Sequence, residues 1–147
     1  MNTNRQWLLA KRPDGMVSRD NFEYTETPIP EAKAGEVLVR NLYLSFDPTQ
    51  RGWMVDRESY LPPVAIGAPM RAGSIGQVVN SEHADFQAGD LVQTTGGWQD
   101  FVIAAPEQGP MGLTKLPVGV TPEMMLSVLG VTGLTAYFGL LDLGNPK

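Results

Sequence analysis

Apolar and polar positions alternate in short runs along the first hundred residues, and glycine or proline closes nearly every run. Period-two alternation bounded by such residues predicts strands joined by specific turns. Gln6–Lys11 reads as a first strand, stopped by the turn Arg12-Pro13-Asp14-Gly15. Asn21–Thr27 reads as a second, ended by Pro28-Ile29-Pro30. Glu36–Phe46 is the strongest strand. Both of its alternating sets contain apolar residues, so it is expected to be covered on both sides for part of its length. Pro48 blocks its continuation, and Asp47 to Tyr60 becomes a turn-rich excursion. Further strands are expected at Ser74–Val79, Leu91–Thr94 and Trp98–Ala104, the last bounded by Pro106. At least six short strands without an intervening amphipathic helix predict a mainly β fold, a closed or nearly closed antiparallel barrel rather than repeated βαβ units.

The pattern changes at Thr121-Pro122-Glu123, an N-cap hydroxyl, a proline at the first helical position and an early acid. Met124, Met125, Leu126, Val128 and Leu129 fill the predicted helix. Gly130 is expected to break it, and Thr132 or Gly133 to open a second over Leu134–Leu141, stopped by Gly144-Asn145-Pro146.

Charge narrows the partners. The 147 residues carry 11 Lys and Arg against 16 Asp and Glu, a net charge of -5, which disfavours a nucleic-acid module with its basic face. Cysteine is absent, which removes disulfides, thiol catalysis and thiolate-bound zinc. The apolar stretch from Met124 to Leu143 is interrupted by glycine, threonine, serine and aspartate, so no membrane span is expected. With no basic head followed by an apolar run at the N-terminus, the expected location is the cytoplasm.

Candidate chemistry concentrates in Leu44–Met54. Asp47 either orients Arg51 or caps the turn after Pro48. Arg51 either faces an anionic ligand with its guanidinium fork or makes a structural ion pair. Trp53 and Met54 either wall a site or fill the end of the barrel. Trp98, after Gly96-Gly97, either borders a ligand cleft or enters the core behind a hairpin turn. Gly67, Gly73 and Gly76 lead into a strand rather than a helix, so they read as bulges or close packing, not a phosphate cradle. His83 lies in a polar stretch with no selected nucleophile and is expected to be exposed. In the tail, the hydroxyls of Thr132, Thr135 and Tyr137 either bond a cofactor or serve as caps and helix back-bonds.

These blocks together resemble the N-terminal part of a medium-chain dehydrogenase/reductase, and more narrowly the zinc-independent NADPH-dependent alkenal, prostaglandin and curcumin reductases. The resemblance is carried by Leu44-Ser45-Phe46-Asp47-Pro48 with Arg51-Gly52 and Met54, then Gly67 and Met70-Arg71 before Gly73–Val79. Gly89-Asp90-Leu91-Val92, Gly97-Trp98 with Phe101-Val102, and Leu129–Tyr137 complete it. It implies a GroES-like, partly closed barrel with short C-terminal helices, over 1–122, and a helical bridge over 123–147 toward a nucleotide-binding Rossmann domain that this chain lacks. It also implies hydride transfer from NADPH to the activated double bond of an α,β-unsaturated ketone or aldehyde, or to a quinone, by a homodimeric parent enzyme. Asp47, Arg51, Trp53, Met54 and Trp98 would shape the catalytic site, and Val131, Thr132 and Thr135 would contact the cofactor. Thr49 and Gln50 stand where relatives with prostaglandin activity carry tyrosine and methionine. On this reading the chain is a fragment, inactive alone. The other class of function is a stand-alone GroES-like binding or assembly module.

Overall fold

The computed structural model describes residues 3–106, 112–144 and 146. It is built mainly of strands, in two antiparallel sheets. β1 (Thr3–Leu9) pairs with β2 (Phe22–Pro28) in a two-stranded sheet. The second sheet has five strands in the order β6-β3-β4-β5-β7. These are β3 (Val37–Leu44), β4 (Ser74–Ser81), β5 (Leu91–Thr94), β6 (Phe101–Ala104) and β7 (Thr114–Lys115). The predicted strands are all present, and β7 is an addition too short to leave a periodic signal.

β3 shows why both of its faces looked apolar. Val37, Leu38 and Val39 are all buried, between β4 and β6, whereas Leu42 and Tyr43 emerge on the surface further along. The inner half contributes to a core of Val37, Val39, Val78, Val92, Ala104 and Leu113. Gly76 faces this crossing closely: a Cβ there would lie 2.5 Å from the Arg40 carbonyl oxygen, and the β3–β4 register shifts beside it, between Asn41 and Tyr43. Close backbone packing and a bulge therefore account for that glycine.

The sheets do not close into a barrel. Among the described residues the outer strands β6 and β7 do not pair with each other, and the five-stranded sheet stays open. β6 is only four residues long and β7 two, and the chain before β6 is drawn off to serve β1 instead. Gln6 bridges to Gln99 and Leu8 to Pro69. Trp7 N–H donates to the Trp98 carbonyl at 2.9 Å, and Met70 N–H to the Trp7 carbonyl at 2.9 Å. Loop backbone thus does what a continuous strand would do in a barrel, and it satisfies the outer edge of β1. Beneath this junction lies a second core of Leu9, Trp53, Met54, Val64 and Met70.

Where turns alone were expected after Pro48, a short helix α1 (Thr49–Trp53) forms. Its signal was hidden by its length and by Gly52. The tail follows the predicted pattern more closely. α2 (Pro122–Leu126) begins at Thr121, whose hydroxyl accepts the Met124 N–H at 3.3 Å. Gly130 separates it from α3 (Val131–Phe138), which continues into a π-helical turn over Gly139–Gly144. A Cβ on Gly130 would lie 2.5 Å from the Met125 carbonyl oxygen, so the tight turn between the helices requires a glycine there. Asn145, part of the expected stop, and Lys147 lie outside the described residues. No helix among the described residues is long and apolar enough to cross a membrane.

Candidate functional site

β3 ends at Leu44, and the segment that follows is a wall between two clefts. Its alternation persists beyond the strand: Leu44 and Phe46 face one cleft, Ser45 and Asp47 the other. Ser45 N–H donates to the Gly73 carbonyl at 2.8 Å, which fixes the wall's position. Asp47 Oδ1 accepts from Thr49 N–H at 2.8 Å and from the Thr49 hydroxyl at 2.6 Å. It thereby satisfies a free amide at the start of α1, which Pro48 cannot do. Gln50 is buried, and its Nε2 donates to the Ser45 carbonyl at 2.7 Å.

From this scaffold Trp53 reaches inward and is 7% exposed. Its Nε1–H donates to the Tyr60 hydroxyl at 3.1 Å, and the Arg71 guanidinium stands 5.4 Å from its ring centroid. Burial of Arg71 pushes its pKa below the ordinary guanidinium value, chiefly by desolvation. Asp47 and Trp53, with Ser45, Gln50 and Tyr60, form one side of a cleft of about 520 Å³. Gln93, Thr94 and Thr95 supply a polar strand end, and Met125, Leu126 and Gly130–Thr132 close the opposite side. Thr94 is held by the Ser74 hydroxyl at 2.9 Å, and both hydroxyls receive Gly96 N–H.

The helical side approaches the sheet at Tyr43, where interaction with the Glu123 carboxylate raises the phenol's pKa. Glu123 is lowered, first by its own backbone N–H, then by Thr121 and Tyr43. Thr135 donates its hydroxyl to the Val131 carbonyl at 2.7 Å, a helix back-bond. Thr132, one residue beyond Val131 at the cleft, makes no such bond to its own helix.

Of the predicted site residues, this cleft therefore unites Asp47, Trp53, Val131 and Thr132. Arg51 donates from Nη2 to the Gly15 carbonyl at 2.8 Å, away from it. Met54 is 3% exposed and packs into the second core. Trp98 lies on the other side of the wall. There it stacks near Phe22 and Phe46, at 5.0 and 5.7 Å between centroids, in an open aromatic cleft of about 710 Å³. It also packs against the second core, so one ring serves both an open cleft and the packing beneath it. Sequence reasoning missed Tyr60 and the Gln93–Thr95 strand end. Tyr60 closes the excursion after Asp47, and Thr94 ends a predicted strand, but neither position announces which way its side chain turns.

His83 differs from expectation. Its imidazole is only 16% exposed, edge-on to Phe86 at 5.4 Å, with Nδ1 accepting Asp85 N–H at 3.1 Å. The polar stretch folds back over the ring. Among the described residues no group of three or more His, Cys, Asp or Glu is placed to hold a metal ion.

Residues 5–112 match the family described as the N-terminal domain of oxidoreductase. The chain belongs to that family. This oxidoreductase domain is 46% identical over 145 residues to the NADPH-dependent curcumin reductase of Escherichia coli strain K12, covering 98% of this chain and 41% of that protein. It is 32% identical over 150 residues to the NADP(+)-dependent 2-alkenal reductase of Nicotiana tabacum, covering 99% of this chain and 43% of that protein. The crystal structure of CurA in complex with NADPH from Vibrio vulnificus superposes with a TM-score of 0.86 at 42% identity, over 97% of this chain and 42% of that one. The oxidoreductase domain thus spans about two fifths of the length of the curated relatives it matches. These are the reductases that the Asp47-Pro48 and Leu129–Tyr137 motifs resemble.

Proposed function

We propose that this domain supplies the substrate-side wall of an NADPH-dependent reductase acting on the activated double bond of α,β-unsaturated ketones or aldehydes. The observation that carries the reading is the convergence of Asp47 and Trp53 with Val131 and Thr132 on one cleft, in a chain whose relatives include NADPH-dependent reductases. The residues present fit such a cofactor. The start of α3 presents the Thr132 side chain at the cleft beside small residues, while the Thr135 hydroxyl is engaged within the helix. NADPH, when bound, supplies the hydride. Val131 and Thr132 would border the nicotinamide, and the Thr132 hydroxyl would be the group to hydrogen-bond it. Trp53 gives an apolar face that excludes water from the reacting bond. Asp47 acts by holding the start of α1, and so the position of Trp53. Arg51, Met54 and Trp98 lie outside this cleft: Arg51 ties α1 to Gly15, and Met54 and Trp98 pack in and against the second core.

On this reading the parent enzyme is metal-free, cytoplasmic and homodimeric. On the same reading the 147 residues alone do not turn over, because donor and acceptor carbons must be held at roughly 3–3.5 Å by a firmly fixed cofactor, and the chain spans only 41% of the curcumin reductase it matches. The test is NADPH oxidation by the natural gene product with enones, enals and quinones in parallel. Rapid turnover of enones or enals supports the proposal. Turnover of quinones alone assigns the parent to quinone reduction, and no NADPH oxidation with any of them overturns the enzymatic reading in favour of a binding or assembly module.

A further inference from the structure

The cleft on the far side of the Leu44–Asp47 wall has no part in the reductase reading. Its volume of about 710 Å³ is of the size that takes a small organic ligand. Five rings converge on it from separate segments: Trp7 of β1, Phe22 and Tyr24 of β2, Phe46 of the wall and Trp98 of the loop before β6. Trp7 meets Tyr24 edge-on at 5.4 Å, and Trp98 neighbours both Phe22 and Phe46. Yet Phe46 is 80% exposed and Tyr24 45%, so ring surface is left facing water at a cost. The polar groups around the rings are mostly engaged within the protein. Asp100 takes Arg5 Nε and Nη2 at 2.6 and 3.0 Å, and Tyr24 donates its hydroxyl to Glu26 at 2.8 Å. Gln99 accepts from Asn4 and Gln6 and donates to the Gly96 carbonyl. Two side chains on the cleft make no such contact among the described residues. The Arg19 guanidinium has neither an ion pair nor a hydrogen bond, since the neighbouring Asp20 faces Lys11. Trp98 keeps a buried indole N–H without an acceptor, a donor that the protein alone leaves unsatisfied.

We propose that this aromatic cleft is a second ligand site, which takes a planar aromatic carboxylate. The ligand's ring stacks among Tyr24, Phe46 and Trp98, and its carboxylate pairs with Arg19. Offset and edge-on ring contacts add to the gain from covering the exposed faces. The planar guanidinium holds a carboxylate through two parallel bonds, a geometry no neutral group reproduces. In a chain of net charge -5, an uncommitted cation beside open rings separates an aromatic anion from a neutral ring of the same shape. Phe46 and Asp47 face opposite sides of the wall, so this ligand shares no space with a cofactor in the other cleft. The inference therefore stands apart from the reductase reading.

The experiment titrates the natural gene product calorimetrically with 2-naphthoate, which carries no activated double bond, with and without saturating NADPH. The expected result is one site with a dissociation constant on the order of 0.1–1 mM, unchanged by NADPH. Arg19→Gln is expected to weaken binding about tenfold, and 2-naphthalenemethanol to bind the wild type about tenfold less tightly than naphthoate, the worth of the charge-assisted bond. Phe46→Ala keeps the charge and removes a stacking face, for an expected loss of about 3–10-fold. Both side chains are exposed, so the urea midpoints of the two variants are expected to stay at the wild-type value. Absence of binding at about a tenfold excess over the expected constant overturns the proposal, as it would where the rest of the gene product or a second copy covers the rings. Displacement of naphthoate by NADPH, or wild-type affinity in both variants, places the anion elsewhere and overturns it equally.

Discussion

Replacing Gly97 with alanine tests how the loop backbone joins the two sheets. Gly97 has φ +71°, a left-handed conformation that costs an ordinary residue about 1–2 kcal/mol. A Cβ there would also sit 2.6 Å from the Met70 carbonyl oxygen. That oxygen cannot retreat freely, because Met70 is fully buried and the same carbonyl accepts Trp98 N–H at 2.8 Å. Overpacking of this kind adds about 1–3 kcal/mol, and reduced freedom of the unfolded chain returns about 0.4–1 kcal/mol. The net expectation is destabilisation of about 2–4 kcal/mol. Gly15 is the control. Its φ is +75°, but a Cβ would meet nothing within 4 Å, so Gly15→Ala carries the conformational part alone, about 1 kcal/mol. Urea unfolding followed by tryptophan fluorescence measures both. If the two variants lose equal stability, the Met70 contact has no energetic weight and the account of the junction is wrong.

Leu9→Ala, at a fully buried position against Trp53, Met54 and Met70, is expected to cost about 2–5 kcal/mol in the same assay. Asp100 should give an acid-dependent contribution: its carboxyl lies below its ordinary value of 3.8, first through the hydrogen bond from Arg5, with burial opposing. A depressed folded pKa stabilises above the unfolded value and is lost as pH falls through the folded one. The stability difference between wild type and Asp100→Asn should therefore shrink as pH drops below about 4, read from urea midpoints across pH. Thr132→Val should weaken NADPH binding to the natural gene product about 3–10-fold by titration, the worth of one ordinary hydrogen bond, whereas Thr135→Val should leave it unchanged.

The strands and the tail helices were legible in the sequence because their causes are local. Alternation marks β3 whatever it packs against, and Thr121-Pro122-Glu123 caps α2 with atoms only a few residues apart. The motifs around Asp47-Pro48 and Leu129–Tyr137 likewise pointed to the reductase resemblance, which the family match bears out. Closure was not legible. Whether β6 meets β7, or whether the chain before β6 serves β1, depends on pairs such as Gln6 with Gln99, far apart in sequence and without periodicity. The site divides in the same way. Residue type nominated Asp47, Arg51, Trp53 and Met54 as one cluster, but the turn of α1 sends Arg51 toward Gly15 and Met54 into the core. Only the folded chain brings Tyr60 and Thr132 to the same cleft, since a side chain's direction is set by what the backbone must pack against.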